Sequence, residues 1–210
     1  YIISMAVAMG VAFTLTWLFG TNNEQIKNEN KPSENKTEKT EQPAQAMETK
    51  AENADIADDG IITAPLSGKA VKLENVPDQT FAQGILGLGA AIEPTEGKVV
   101  APGDGKVETL FDTFHAVGLT LDNGKELLIH VGINTVELKG EGFKAYVSEG
   151  DRVTKGQTLI TFDMDFIKSK GYQTITPVLV GNSDEFASVE ELAEEGTEVT
   201  IGDKLIKVNA

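Results

Sequence analysis

The chain contains no cysteine among its 210 residues. This absence excludes disulfide bonds, which small secreted domains use to supplement a small core, and it excludes a thiol nucleophile. Histidine is almost as rare, since only His115 and His130 occur, and there is a single tryptophan. Any chemistry that requires an imidazole must therefore use these two residues.

Basic residues are also scarce, with 18 Lys and Arg against 33 Asp and Glu, for a net charge of −15. This acidic balance argues against nucleic-acid binding and favours a basic protein partner, whose approach it would accelerate. The sequence has no Gly-x-x-x-x-Gly-Lys-Ser/Thr motif, and the glycines of residues 84–89 lack the dinucleotide-binding spacing. A P-loop or Rossmann nucleotide enzyme is therefore excluded.

Residues 1–20 carry no charged side chain. As a helix they would cover about 30 Å, the thickness of a bilayer core, and Trp17 would suit the interface. We interpret this run as a transmembrane helix at the end of a longer membrane domain. A buried soluble helix and a signal remnant are the alternatives, although no basic segment precedes the run.

Residues 21–59 contain almost no large apolar side chains and are rich in Asn, Glu, Lys, Thr and Gln. Such a segment cannot bury enough surface to offset the entropy of ordering, so we predict a flexible linker. A charged helix is the alternative, but Pro32 and Pro43 would interrupt it. The remaining residues, 60–210, carry a net charge of −10 and are long enough for one domain with its own core.

Both histidines flank one predicted β-hairpin, with strands at 113–121 and 125–132 and a turn at Asn123-Gly124. Asn-Gly is typical of a two-residue type I′ turn, which would pair Asp122 with Lys125. In that register His115 lies opposite Gly132 and His130 opposite Val117. Both imidazoles then project from the same face as diagonal neighbours, whereas a three-residue loop would break this parity.

Two neighbours of His115 favour a functional interpretation. Gly132, opposite it, would leave room for an incoming group, and the Thr113 hydroxyl could accept from one ring nitrogen and fix the tautomer. The alternative is that both histidines are ordinary hydrogen-bonded core or surface residues. Two histidines do not complete a catalytic zinc site, which normally has three protein ligands, so a third would have to come from a partner.

The rest of the domain contains an internal repeat. Residues 149–160 and 195–206 share the pattern Glu-Gly-x-x-Val-Thr-x-Gly-x-x-Leu-Ile, and Ala-Pro pairs at 64–65 and 101–102 begin a second duplicated segment. Short strands separated by Gly and Asp turns favour an all-β fold, an antiparallel sandwich or barrel. We predict only two short helices, at 165–170 and 188–194, the second with a capping box of Ser188 and Glu191.

Several segments resemble the glucose-type IIA domain of the bacterial phosphoenolpyruvate-dependent sugar phosphotransferase system. The resemblance runs from about Ile61 to Val208, and its most specific parts are residues 111–116, 126–143 and 87–92, with Ala64-Pro65 and Gly150-Asp151. It implies a duplicated barrel-sandwich hybrid fold. It also implies a phosphotransferase with a phosphohistidine intermediate and no cofactor.

The resemblance assigns roles to particular residues. His130 would take a phosphoryl group from the phosphohistidine of the carrier HPr and pass it to a cysteine of a IIB domain, which must lie outside this cysteine-free chain. His115 would support the transfer, with Thr113 as its partner. The implied docking surface comprises Asp78, Phe81, Phe111, Leu128, Gly132, Asn134 and Val136. Asn134 departs from the family pattern, which has Asp at this position.

The resemblance also places the domain in a membrane permease. A span followed by a linker and IIA implies the order IIC then IIA, as in sucrose, trehalose and β-glucoside permeases, with the IIA domain on the cytoplasmic side of the cell membrane. The transported sugar cannot be inferred, because its pocket would lie in the membrane domain. The family's face binds zinc jointly with certain partners, but nothing in this sequence demands a metal.

Three other functions share features with this sequence. A biotinyl or lipoyl carrier would need an exposed lysine on a hairpin tip flanked by Met, and Lys125 lacks that setting. A LytM-type zinc peptidase would need a His-x-His pair, but Leu128 and Gly132 occupy the positions two away from His130. A regulatory binding module of the same fold, without relay activity, remains the main alternative.

Overall fold

The computed structural model describes residues 59–210. The strands of this part are β1 (Ile61–Thr63), β2 (Gly68–Lys72), β3 (Leu88–Pro94), β4 (Lys98–Val100), β5 (Gly105–Leu110), β6 (Ala116–Leu121), β7 (Glu126–His130), β8 (Phe143–Ala145), β9 (Arg152–Val153), β10 (Thr158–Phe162), β11 (Thr176–Val180), β12 (Ser188–Glu191), β13 (Glu198–Val199) and β14 (Lys204–Asn209). The helices are α1 (Gln79–Ala82) and α2 (Met164–Ser169), with 3-10 turns at Leu73–Asn75, Thr135–Leu138 and Ser183–Glu185.

The strands form three sheets. The largest has eight strands in the order β13-β2-β3-β11-β7-β6-β5-β9, and two sheets of three strands have the orders β1-β14-β12 and β4-β10-β8. Every strand pairing recorded in these sheets is antiparallel. The predicted antiparallel all-β architecture with short helices is therefore confirmed for the described residues.

The two halves of the domain repeat the same hydrogen bonds. Ala64 N donates to Asp203 O at 2.7 Å, and Ala101 N donates to Gln157 O at 2.9 Å. Farther along, Gly196 N donates to Ala70 O, and Gly150 N donates to Val107 O, both at 2.8 Å. The sequence repeat thus corresponds to a structural repeat, and each copy of the Ala-Pro segment pairs with one copy of the Glu-Gly segment.

The eight-stranded sheet has buried side chains on both faces. Along β7, Leu127 and Ile129 face the main core, while Leu128 packs against a smaller cluster. The buried members of this cluster are Leu73, Val76, Phe81, Ala91, Ile133, Ile175 and Leu179. Because side chains alternate along a strand, His130 faces the same side as Leu128 and lies at the edge of the smaller cluster.

The second predicted helix is wrong. Residues 188–191 form β12, in which Ser188 pairs with Asn209 and Glu191 with Ile206, and the Ser188 hydroxyl donates to Glu190 rather than capping a helix with Glu191. Pairing with β14 overrides the local capping signal. The first predicted helix is confirmed within one residue as α2, where the Asp163 side chain caps the N-terminus by accepting from Phe166 N at 2.9 Å.

The predicted membrane span, residues 1–20, and the predicted linker, residues 21–59, lie outside the described residues except for Asp59. Across residues 59–210, none of the helices has the length and apolar character needed to cross a membrane.

Candidate active site

The hairpin that carries the histidines has a three-residue loop, so its predicted register is wrong by one residue. Leu121 N donates to Lys125 O at 2.9 Å, and His130 lies opposite Ala116, not Val117. Gly124 has a positive φ of 81° but Asn123 does not, whereas a type I′ turn requires both. The Asn123 side chain instead accepts from Lys125 N at 3.3 Å.

The two imidazoles are nevertheless neighbours. Their ring centroids lie 4.8 Å apart at an interplanar angle of 82°. In the observed register a regular strand would send them to opposite faces, but Phe114 at φ 54° and Gly132 at φ 76° interrupt both strands beside the histidines. The adjacency was predicted correctly from a register that was wrong.

Four rings form a row across the site. Phe81 on α1 lies 5.0 Å from His130, and Phe111 lies 5.4 Å from His115, each measured between ring centroids. His115 and Phe81 are buried, and His130 is partly exposed. The imidazoles are thus held between aromatic side chains, with the more accessible ring on His130.

The protein environment fixes the proton on His130. Nδ1 of His130 lies 2.8 Å from Gly132 O, and because a carbonyl can only accept, Nδ1 must carry the proton. Burial lowers the pKa of His130, although hydrogen bonding to the Gly132 backbone and the nearby Asp78 charge oppose this effect. Neutral His130 therefore presents an unprotonated Nε2, which is a nucleophile.

His115 is held by its neighbouring hydroxyl. Its Nδ1 lies 2.5 Å from Thr113 Oγ1, as the predicted pairing requires. Burial, followed by the charge of His130, lowers the pKa of His115 to about 4, so the ring is neutral at pH 7. The predicted direction, with the hydroxyl accepting from Nδ1, would leave Nε2 of the neutral ring without a proton. For Nε2 to be a hydrogen-bond donor, the Thr113 hydroxyl must instead donate to Nδ1.

Gly132 does not leave the open space that was predicted. A Cβ built on it would lie 2.5 Å from Thr135 Cγ2 and 2.6 Å from Gln173 O. Glycine is required here by close packing and a positive φ, and the residue contributes its carbonyl to the site.

The other predicted docking residues lie on four segments, which are α1 with its N-cap, the loop after β5, strand β7, and the turn Thr135–Leu138 with the residue before it. Asp78 caps α1 by accepting from Thr80 N at 2.8 Å, Leu128 is half-buried on β7, and Asn134 occupies the left-handed region just before the turn that carries Val136. Phe111 and Val136 are exposed large apolar side chains, whereas Phe81 is buried and its ring packs against that of His130.

Some surface residues were missed by the sequence reasoning. Ile85, Leu86 and Leu88 follow α1 and are 66%, 40% and 46% exposed, respectively. The sequence did contain a signal for them, because Ile85 and Leu86 form an apolar pair between two glycines, Gly84 and Gly87. In the part of the chain that the structure describes, no group of three or more His, Cys, Asp or Glu side chains could hold a metal ion.

Comparisons with known proteins agree on one family. The family model for the phosphoenolpyruvate-dependent sugar phosphotransferase system, EIIA 1, matches residues 60–186. The PTS system glucose-specific EIIA component of Halalkalibacterium halodurans is 47% identical over 152 residues, which are 72% of this chain and 88% of the relative. That of Bacillus cereus is 50% identical over 129 residues, which are 61% of this chain and 78% of the relative.

A solved structure has the same fold. The glucose permease IIA from Mycoplasma capricolum superposes with a TM-score of 0.62 at 32% sequence identity, covering 70% of this chain and 93% of that one.

Proposed function

Because the chain belongs to the EIIA 1 family of the phosphoenolpyruvate-dependent sugar phosphotransferase system, we propose that its phosphoryl relay runs through Nε2 of His130. In this proposal the phosphohistidine of HPr donates the group to His130, and a cysteine of a IIB domain then accepts it. The observation that carries the proposal is the hydrogen bond from His130 Nδ1 to Gly132 O, which leaves Nε2 as the nucleophilic nitrogen.

In the transfer, the lone pair of Nε2 forms the new N–P bond while the carrier's imidazole leaves with the electrons of the old one. The ring of His115 lies beside that of His130, with its centroid 4.8 Å away. A proton on its Nε2 would donate to an equatorial phosphoryl oxygen, where charge is greatest. Phosphoryl transfer depends mainly on such positioning and charge stabilisation, so no nucleotide or covalent helper is needed.

We expect a docking surface for protein partners around the rings, built from exposed apolar side chains of the segments that carry them and of the adjoining loop after α1. Phe111 and Val136, with Ile85, Leu86 and Leu88 beyond α1, provide exposed apolar area, and Asp78 provides an acidic edge. Both partners must reach the same nitrogen, so we expect HPr and the IIB domain to use overlapping parts of this surface in turn. Apolar contacts with few charges allow exchange of partners, because such surfaces do not depend on one fixed ion-pair pattern.

The N-terminal segment supports a further proposal based on its sequence alone. The uncharged run of residues 1–20 would be the last span of a IIC membrane domain, and residues 21–59 would tether the IIA domain to it on the cytoplasmic side. The tether would raise the effective concentration of donor and acceptor. The relatives' names make glucose the first sugar to test, with sucrose, trehalose and β-glucosides next because of the implied domain order.

The test of the relay is phosphorylation by radiolabelled phospho-HPr. We expect acid-labile, base-stable label on the wild-type protein and none on His130→Gln, because glutamine lacks the attacking nitrogen. The matched variant His115→Gln should still be labelled. Stable label on the His130 variant would overturn the assignment, and absence of label on the folded wild type would favour a regulatory module.

A further inference from the structure

The orientation of His130 depends on a carbonyl that is itself held by a small group of buried hydrogen bonds. Gly132 O accepts from His130 Nδ1, so the direction of the Gly132 peptide decides which ring nitrogen is protonated. This peptide lies in neither a regular strand nor a helix, since β7 ends at His130 and Gly132 has φ 76°. Something other than regular secondary structure must therefore fix it.

Thr135 holds the residue before Gly132. Its Oγ1 donates to Val131 O at 2.5 Å, and both Thr135 and Val131 are fully buried. Val131 N donates to His115 O at 2.7 Å. The Val131 N–H is thus bonded to the His115 carbonyl, and the Val131 carbonyl is bonded to the Thr135 hydroxyl.

The Thr135 side chain also packs against Gly132. A Cβ on Gly132 would meet the Thr135 methyl at 2.5 Å, which shows how closely that methyl approaches the glycine. On the other flank, Ile133 N donates to Gln173 O at 3.1 Å. The Gly132 carbonyl therefore has fixed residues on both sides. Apart from the bond that His130 itself makes to Gly132 O, Thr135 supplies the side-chain hydrogen bond recorded on the backbone from Val131 to Ile133.

From these contacts we propose that Thr135 is a positioning residue for His130. Its hydroxyl fixes the Val131 carbonyl, this fixes the Gly132 carbonyl, and this carbonyl keeps the proton on Nδ1 and the lone pair on Nε2. In this proposal Thr135 acts through the backbone and not by contact with the phosphoryl group or the ring. The kinetic consequence rests on the proposed function, whereas the tautomer of His130 can be measured without it.

The test compares two substitutions of Thr135 in the full chain. Thr135→Val keeps a branched side chain but replaces the hydroxyl that contacts Val131 O, and Thr135→Ser keeps the hydroxyl but removes the methyl group. The matched control is Thr63→Val, because the Thr63 hydroxyl also donates to a buried carbonyl, that of Pro102 at 3.0 Å, in a sheet without site residues. The ring-nitrogen chemical shifts of His130 report its tautomer by NMR.

We expect the wild type, Thr135→Ser and Thr63→Val to show His130 protonated on Nδ1. Thr135→Val should show a mixture of tautomers and a loss of about 10-fold to 100-fold in the rate of phosphorylation by phospho-HPr, as for a small misplacement of a reacting group. If Thr135→Val loses stability as Thr63→Val does, yet keeps both the tautomer and the rate, Thr135 is structural only and the proposal is wrong.

Two further outcomes are decisive. If Thr135→Val does not fold, the wild-type and Thr135→Ser spectra decide, because a wild-type His130 protonated on Nε2, or a mixture in the serine variant, overturns the proposal. If the tautomers behave as expected but phospho-HPr labels no variant and not the wild type, the relay fails while the positioning role stands.

Discussion

Burial of the two imidazoles determines the pH at which each becomes charged. Desolvation, followed by the charge of His130, lowers the pKa of His115 from 6.5 to about 4. The folded state therefore binds this proton less readily than the unfolded state does. The resulting stability is fully present above pH 6.5 and is lost as the pH falls toward 4.

The lowered pKa of His115 predicts that part of the domain's stability depends on pH. Between pH 7 and pH 5, the free energy of unfolding should fall by about 2 kcal/mol more in the wild type than in His115→Gln, which has no proton to gain. Urea denaturation of both proteins at the two pH values measures the difference. An identical fall in the two proteins would show that the folded protein does not suppress protonation of His115.

His115 should also affect the second step of the relay. Replacing it with alanine removes the donor beside the phosphoryl group, and the transfer from His130 to a IIB cysteine should slow by about 10² to 10³, as for an oxyanion-hole donor. Glutamine at the same position retains an N–H and should lose less. Single-turnover transfer from the phosphorylated protein measures this, and equal rates for alanine and wild type would make His115 a bystander.

The residues of the site were predicted more successfully than their arrangement. Only two histidines exist, so any imidazole chemistry had to involve His115 and His130, and the Thr113 contact followed from its spacing. The role of Gly132 was not predictable, because its close packing involves Thr135 and Gln173, and the bridge to Gln173 joins residues 40 positions apart. Contacts between distant segments leave no local sequence pattern.

At the level of elements, loop conformation set the register of the hairpin. Asn-Gly favoured a two-residue turn, but Asn123 uses its side chain to accept from the backbone and the loop gains one residue. Residues 188–191 illustrate the same limit, since a helix-capping pattern is overridden by pairing with β14. Local preferences of about 1 kcal/mol are easily exceeded by a full row of strand pairing.

The requirement for glycine at position 132, just after β7, can be tested by comparison with a glycine of similar φ. Gly132→Ala adds a clash with Thr135 and Gln173 to the strain of a positive φ, and it should cost about 3 to 4 kcal/mol and greatly slow phosphorylation. Gly124→Ala has φ 81° with nothing within 4 Å of the new Cβ, so it should cost only about 1 kcal/mol. Thermal or urea unfolding compares them, and equal losses would remove the packing argument.

For the whole molecule, the repeat was the most reliable prediction. A fixed pattern at residues 149–160 and 195–206 is a sequence property, and the matching hydrogen bonds at Ala64 and Ala101 confirm its structural meaning. The sequence could not show that each copy pairs across the domain, because pairing depends on the complete topology. The membrane span and linker remain predictions.

The N-terminal boundary of the domain can be tested by truncation. A protein beginning at Gly60 should fold as a soluble monomer and accept phosphate as fast as the full chain, because the core and the site lie after Asp59. A protein beginning at Ala64 should be much less stable, since it lacks β1 and the buried Ile62. Unfolding and labelling by phospho-HPr test both, and a Gly60 protein that fails to fold would show that the preceding residues contribute to the core.

The pairing of β1 with β14 has a geometric consequence for gene fusion. Ile61 lies opposite Lys207, and Val208 N donates to Gly60 O at 2.8 Å, so the first and last strands of the domain meet side by side. A polypeptide entering at Gly60 and one leaving after Val208 pass through nearly the same point. The two ends of the domain are therefore adjacent. The domain could be inserted into another protein or circularly permuted at this junction without disturbing the hairpin that carries the histidines.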